Sequence, residues 1–365
     1  MRALVLMLAA PLLAATSQTP PVLQPPDSAV AAAQRATDAA RRRTTRLFGD
    51  TTPLELTLTA DFARVFRNRD TLSTQRFPAK LTVADTTGAP TTITVEIAPR
   101  GHFRLDRKNC EFPPIKITFA DTSARGTPFQ GQNGIKLGTH CRPDSREYEE
   151  YIVREYVVYR IHNLVSDVSL RARLARMTYV GDKPGSKPYT TLGLLIEDDD
   201  DAAKRNGGRI AELRGGTFAE VDPEQIRLIG VFEYLIANTD WSMYALHNIR
   251  LIQAAGGRTI PLAYDFDHAG IVSARYARPD YRLPIKTVQE RLYQGPCLSA
   301  AELAPVFAKF TAQRGAIEAT YAGTPGLSAG YRKWAHGFIS DFFETIGDRR
   351  KVRDRIIEAC PRDGR

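Results

Sequence analysis

Ala79-Lys80-Leu81-Thr82-Val83 and Ile93-Thr94-Val95-Glu96-Ile97 are the stretches whose reading decides the fold class. In both, apolar and polar residues alternate with a period of two, as in a strand that buries one face. Asp85 to Pro90 carries turn residues between them, so the pair reads as a hairpin. Upstream, Leu54-Glu55-Leu56-Thr57-Leu58 alternates in the same way. Downstream, Ile115-Lys116-Ile117-Thr118-Phe119 does so again, and Gly134 to Thr139 is one more short strand. Together these segments predict an antiparallel β region.

The flanks read differently. Ser28 to Arg46 is rich in Ala and Arg at helical spacing with few large apolar residues, which suggests an exposed leading helix or linker. Ser145 to Asn163 reads as an amphipathic helix. Ala175 to Val180 and Thr191 to Glu197 read as strands around the turn Asp182 to Pro188. The run Asp198 to Asp201 reads as an exposed loop. From Pro223 the pattern is helical and stops near Asn238. Ile249-Arg250-Leu251-Ile252 and Ile260 to Tyr264 bracket a Gly256-Gly257 turn as a second hairpin. Residues 300–317, 331–346 and 349–359 are helical pieces. The chain is therefore expected to be α+β, with a β-rich first half and a mainly helical second half. The expected organisation is 1–17 a signal peptide, 18–47 a leader with a helix, 48–197 a β-rich lobe with one helix, and 198–365 a mainly helical lobe.

The signal-peptide reading rests on Met1-Arg2, the apolar run Ala3 to Ala15 and the small residues that follow. That run is too short to span a bilayer, and no later stretch is apolar enough to do so. An exported, periplasmic or extracellular chain is expected to oxidise its four cysteines. Three pairings are possible. Cys110–Cys141 with Cys297–Cys360 is preferred because each bond then stays within one half of the chain. The 50 Lys and Arg against 41 Asp and Glu give a net charge of +9. No module of stacking aromatics accompanies these charges, so nucleic acid is not an expected partner.

The chemistry concentrates in Asn238-Thr239-Asp240-Trp241, His247-Asn248 and Tyr264-Asp265-Phe266-Asp267. A helix end delivers the first group, and the hairpin delivers the other two at its open end. Mg²⁺ takes oxygen ligands, usually one or two carboxylates plus waters and substrate phosphates. Asp265 and Asn248 can supply such ligands, with Asp240 nearby as a base. Gly326-Leu327-Ser328-Ala329-Gly330 matches a nucleophile-elbow pattern but lies between helical segments, so it reads as a connecting loop.

Over residues 95–275, the order of Arg100-Gly101, the strand with Lys116, the helix with Arg154, Gly193-Leu194-Leu195-Ile196-Glu197, Asn238-Thr239-Asp240 and Asp265-Phe266-Asp267 resembles the CotH-like spore-coat kinases, a family of atypical kinases. The resemblance implies an atypical protein-kinase-like two-lobed fold and transfer of the ATP γ-phosphate to a protein hydroxyl with Mg²⁺ or Mn²⁺. It makes Asp240 the catalytic residue and Asn248, Asp265 and Asp267 the metal ligands. Lys116 is its phosphate-binding strand lysine, with Lys136 as rival. Glu155 is the carboxylate partner, with Glu197 as rival. Tyr264 stands where that family carries Trp, and a glycine-rich phosphate loop is absent from the sequence. The alternative expectation is a catalytically inactive kinase-fold protein serving as a cell-envelope binding or structural module.

Overall fold

The computed structural model describes residues 27–84, 89–120 and 124–361, with side chains from residue 31 onward. The expected signal peptide lies outside them. In chain order the first elements are α1 (Asp27–Phe48), β1 (Leu54–Ala60), α2 (Phe62–Val65), β2 (Phe77–Val83), β3 (Thr91–Pro99), β4 (Ile115–Phe119) and β5 (Gly134–Gly138). Next come α3 (Arg146–Val165), β6 (Ala172–Gly181), β7 (Tyr189–Glu197), α4 (Asp199–Arg205), β8 (Gly208–Ile210), α5 (Pro223–Ile236), β9 (Ile249–Ala254) and β10 (Thr259–Ala263). The chain finishes with α6 (Ala300–Ala312), α7 (Arg314–Gly323), α8 (Ala329–Gly347) and α9 (Arg349–Val352).

The alternating strands form as expected, but their sheet closes on itself. Its order is β1-β2-β3-β4-β5-β7-β6, and β6 returns beside β1 in parallel, from Leu54 opposite Ala175 to Ala60 opposite Gly181. This seven-stranded closed barrel overturns the two-lobed kinase-like fold expected from the sequence. Alternation shows which face of a strand is buried. It carries no information about which distant strand supplies the partner for an edge, and here closure removes both edges. The inward-facing residues, among them Leu58, Leu81, Ile97, Ile117 and Leu137, fill the barrel.

A second core lies outside the barrel wall. The run Leu194-Leu195-Ile196 on β7 does not alternate because both of its faces are covered: Leu195 belongs to the barrel core, and Leu194 and Ile196 to the outer core. Helix α3 packs on β6 and β7, and α5 to α8 share its core. Helix α3 therefore joins the helical half, although sequence order groups it with the strands. A small antiparallel sheet, β10-β9-β8, completes this half.

Two further expectations change. Helix α1 is not free: Ala40 and Leu47 are buried, and the helix lies against α4. The Asp198–Asp201 run is not an exposed loop. Asp198 accepts a hydrogen bond from the Asp200 amide as the N-cap of α4, and Asp198 and Asp201 are buried. Three acidic residues in the first turn suit the positive end of a helix dipole.

Disulfides join Cys110 to Cys141 and Cys297 to Cys360, the preferred pairing. They fit an exported protein. Among the described residues no helix is long and apolar enough to cross a membrane. The Gly326–Gly330 segment joins α7 to α8, and Ser328 caps α8 through the Tyr331 amide.

Candidate functional site

Helix α5 ends where Ala237 turns into the left-handed region at φ 50°, and the Asn238 amide donates back to the Glu233 carbonyl at 2.8 Å. This aims Asn238-Thr239-Asp240 away from the helix axis. The segment after Asp267 is tied to the same helix end. Gly270 N–H donates to the Ala237 carbonyl at 2.9 Å, and Ile271 N–H to the Ile236 carbonyl at 3.0 Å. Gly270 has no room for a side chain, because a Cβ there would sit 2.1 Å from the Val288 carbonyl oxygen. The backbone thus holds together two acidic segments some 25 positions apart.

The hairpin contributes the rest. Asn248 and Asp265 flank its open end, joined by Tyr264 N–H to the Asn248 carbonyl at 3.0 Å. Both residues adopt the left-handed conformation, at φ 53° and 63°. Such strain in a non-glycine residue gathers where function overrides local preference, and Asn and Asp bear it best. Asn248 Nδ2 donates to the Asp240 carbonyl at 2.7 Å and to Asp240 Oδ2 at 3.2 Å, which leaves its Oδ1 as an acceptor. His247 Nε2 lies 3.1 Å from Asp240 Oδ1, and His268 Nδ1 lies 4.0 Å from Oδ2. The hydrogen bond to Asp240 raises the His247 pKa above the ordinary value.

Asp240, Asn248, Asp265 and Asp267 line one cleft of about 640 Å³ with Lys136, Asp199, Arg100, Arg104 and Arg250. The structure thus brings together the expected catalytic residue, all three expected metal ligands and one of the two expected lysines. Lys136 is ion-paired with Asp199, and burial lowers its pKa. Lys116, its neighbour across the β4–β5 pair, is ion-paired with Asp198 and does not line the cleft. Burial, reinforced by Lys136, pushes the Lys116 amine down to about 8.

Neither expected carboxylate meets a lysine. Glu197 is fully buried and accepts from Arg205 Nε at 3.0 Å, Arg205 Nη2 at 2.8 Å, Thr44 Oγ1 at 2.9 Å and the Arg171 amide at 3.0 Å. It ties α1 and α4 to the barrel wall. Glu155 of α3 is 1 % exposed and lies in the field of Arg104. Arg154 is likewise structural, held by Glu150 at 3.0 Å and the Val272 carbonyl at 3.0 Å.

Arg104 is a cleft residue that motif reasoning missed. It sits in the short turn Phe103–Leu105 after Arg100-Gly101, with Nη2 3.6 Å from Asp265 and Nε 3.4 Å from Asp267. The charged stretch Gly101 to Glu111 was its only signal in the sequence. Arg250 Nε lies 3.7 Å from Asp199, and buried Glu233 accepts from Asn238 Nδ2 at 2.9 Å; no motif in the sequence marks either.

Acidic and basic side chains are packed together in this cleft. Asp265, Asp267 and Glu155 lie in the field of Arg104, with Arg100 acting on Asp265 and Glu155 and His268 on both aspartates. Burial, then Asp267, raises the Asp265 pKa, and burial pushes Glu155 up to about 8 despite Arg104. Burial alone would raise Asp267 too, but Arg104, His268 and the Tyr276 hydroxyl at 3.0 Å hold it below the ordinary value. Glu155 Oε1 is buried without a hydrogen-bond partner among the described residues. Burying charge this way is costly unless it is compensated; here a retained proton on Glu155 and the Arg104 and Arg100 guanidiniums supply part of that compensation. Among the described residues no three His, Cys, Asp or Glu side chains group closely enough to hold a metal by themselves. A carboxylate with an amide oxygen fits Mg²⁺, which completes its shell from water and phosphate, better than it fits Zn²⁺. Compared with known proteins, the chain matches no family model and no curated protein.

Proposed function

We propose that this cleft transfers a phosphoryl group from a nucleoside triphosphate such as ATP to a protein hydroxyl, with Mg²⁺ or Mn²⁺. The observation that carries the reading is the meeting of Asp240, Asn248 and Asp265 in a cleft that also presents Arg100, Lys136 and Arg250. A divalent cation, when bound, would neutralise phosphate charge and align the transferred group. Asp265 and the Oδ1 of Asn248 are the atoms suited to hold it. Arg100 supplies positive charge for the phosphates, and Lys136 and Arg250, both paired with Asp199, would add to it by turning from that carboxylate. Asp240 accepts the proton of the attacking hydroxyl. Its carboxylate is fixed by Asn248 and His247, and its amide by Asn238 Oδ1 at 3.1 Å, so little reorganisation is needed at the moment of transfer.

Arg104 favours one other reading, a ligand-binding protein without catalysis, because its guanidinium already lies on the carboxylates a cation would use. Labelled ATP with the purified chain separates the two. Under phosphotransfer, Asp240→Asn lowers labelling by about 10²-fold or more while ATP still stabilises the protein, a loss typical of a missing general base. Asp265→Asn makes that stabilisation insensitive to Mg²⁺. Absence of both labelling and an ATP-dependent thermal shift in the wild type would overturn the proposal.

A further inference from the structure

Asp240 borders two cavities. On one side is the cleft just described. On the other is a cavity of about 610 Å³, within the usual range of ligand sites, that shares Asp240, His247 and His268 as a common wall. A proton acceptor for phosphoryl transfer must face the phosphate on one side and the hydroxyl on the other. The shared wall meets that requirement.

The second cavity has its own chemistry. Phe218, Trp241, Met243, Leu283 and Val288 give it an apolar lining. Two of its lining residues carry buried polar atoms with no hydrogen-bond partner among the described residues, the donor Trp241 Nε1 and the acceptor Gln294 Oε1. Unsatisfied groups of this kind are rare and call for an explanation, and a ligand supplies one. Arg278 lines the cavity, gives Nη1 to the carbonyls of Arg275 and Ala277, and meets no carboxylate among the described residues. Arg282, by contrast, is held by Asp280. At the mouth, the lining residue Tyr244 is 68 % exposed, and Tyr281, between the lining residues Asp280 and Arg282, is 93 % exposed. Two exposed aromatic side chains at the mouth suit a chain running across it better than a compact small molecule.

We infer that this second cavity seats the phosphoryl acceptor, a peptide segment whose hydroxyl residue is flanked by an apolar residue entering the lining and an acidic residue facing Arg278. The inference rests on the phosphotransfer reading and adds to it the seat of the acceptor and the residues that flank its hydroxyl.

Two synthetic peptides test it with the full chain, Mg²⁺ and labelled ATP: a serine flanked by Leu and Asp, and the same peptide with Lys in place of Asp. The wild type is expected to give the acidic peptide a KM roughly tenfold lower, the effect of one favourable against one unfavourable charge contact. Arg278→Glu inverts that ratio with an unchanged melting temperature. Leu283→Asp raises KM for both peptides. Equal use of the two peptides or an unchanged ratio in Arg278→Glu would overturn the acceptor assignment while leaving phosphotransfer to a protein hydroxyl standing; labelling of small alcohols but not peptides would overturn the acceptor assignment and the protein acceptor together, leaving only phosphoryl transfer. No labelling of any acceptor and no ATP-dependent thermal shift would remove both.

Discussion

Glu197→Gln tests whether the residue at the end of β7 belongs to the architecture or to the nucleotide. The carboxylate receives four hydrogen bonds, two of them from Arg205, and is fully buried. Breaking a buried ion pair by neutralising one partner costs about 3–5 kcal/mol. Arg205 keeps two further acceptors, the carbonyls of Asp167 at 2.8 Å and Ser169 at 2.7 Å. The loss should therefore fall at the low end, about 3 kcal/mol. With an unfolding entropy of about 2 cal/mol/K per residue, a chain of 365 residues melting as one unit would lose about 4 °C. Differential scanning calorimetry of wild type and variant measures this. The stabilisation produced by Mg²⁺ and ATP should be the same in both, because Glu197 does not line the cleft. A variant that melts within 1 °C of the wild type but loses the ATP effect would refute the structural assignment and return Glu197 to the nucleotide.

Other outcomes follow from the same geometry. His247 should titrate above the ordinary histidine value and return toward it in Asp240→Asn, as read by NMR; because its folded pKa is raised, its contribution to stability is complete below about pH 6.5 and fades as pH rises through that pKa. His162, stacked on Phe232 with centroids 4.2 Å apart, and His140 are buried, which lowers their pKa values to about 3 and about 4. Depressed values mean that the unfolded chain binds protons first, so stability should fall as pH drops below about 6.5, by up to roughly 1.4 kcal/mol per pH unit for each histidine. His162→Phe should reduce that slope in urea titrations at pH 7 and pH 5, and an unchanged slope would count against the buried neutral form. The Cys297–Cys360 bond, with a sequence separation of 63, should be worth about 4 kcal/mol by loop-closure entropy. The double serine variant should show that loss in its denaturation midpoint under oxidising conditions.

Local structure was readable wherever the cause is local. Period-two alternation placed β1 to β4, Pro223 and the apolar spacing after it placed α5, and the paired glycines placed the β9–β10 turn. The order of Asp240, Asn248 and Asp265 was enough to anticipate their meeting, since a helix end and a hairpin end each present polar residues at a fixed offset. Arg104 could not be placed this way. It reaches Asp265 and Asp267 from a short turn some 160 positions earlier in the chain, and a turn arginine carries no periodic signature.

The sequence by itself determined which strand faces are apolar, where α3 and α5 lie, and which residue types gather near the hairpin, because these follow from backbone sterics and burial within a few residues. Only the tertiary structure decided that β6 closes a barrel against β1, that Lys136 rather than Lys116 lines the cleft, and that Asp198 and Asp201 are buried rather than solvated. Each of those outcomes depends on pairing between groups far apart in the chain. There the free energy is set by burial and by the charge that arrives opposite, and neither is written in the residues on either side.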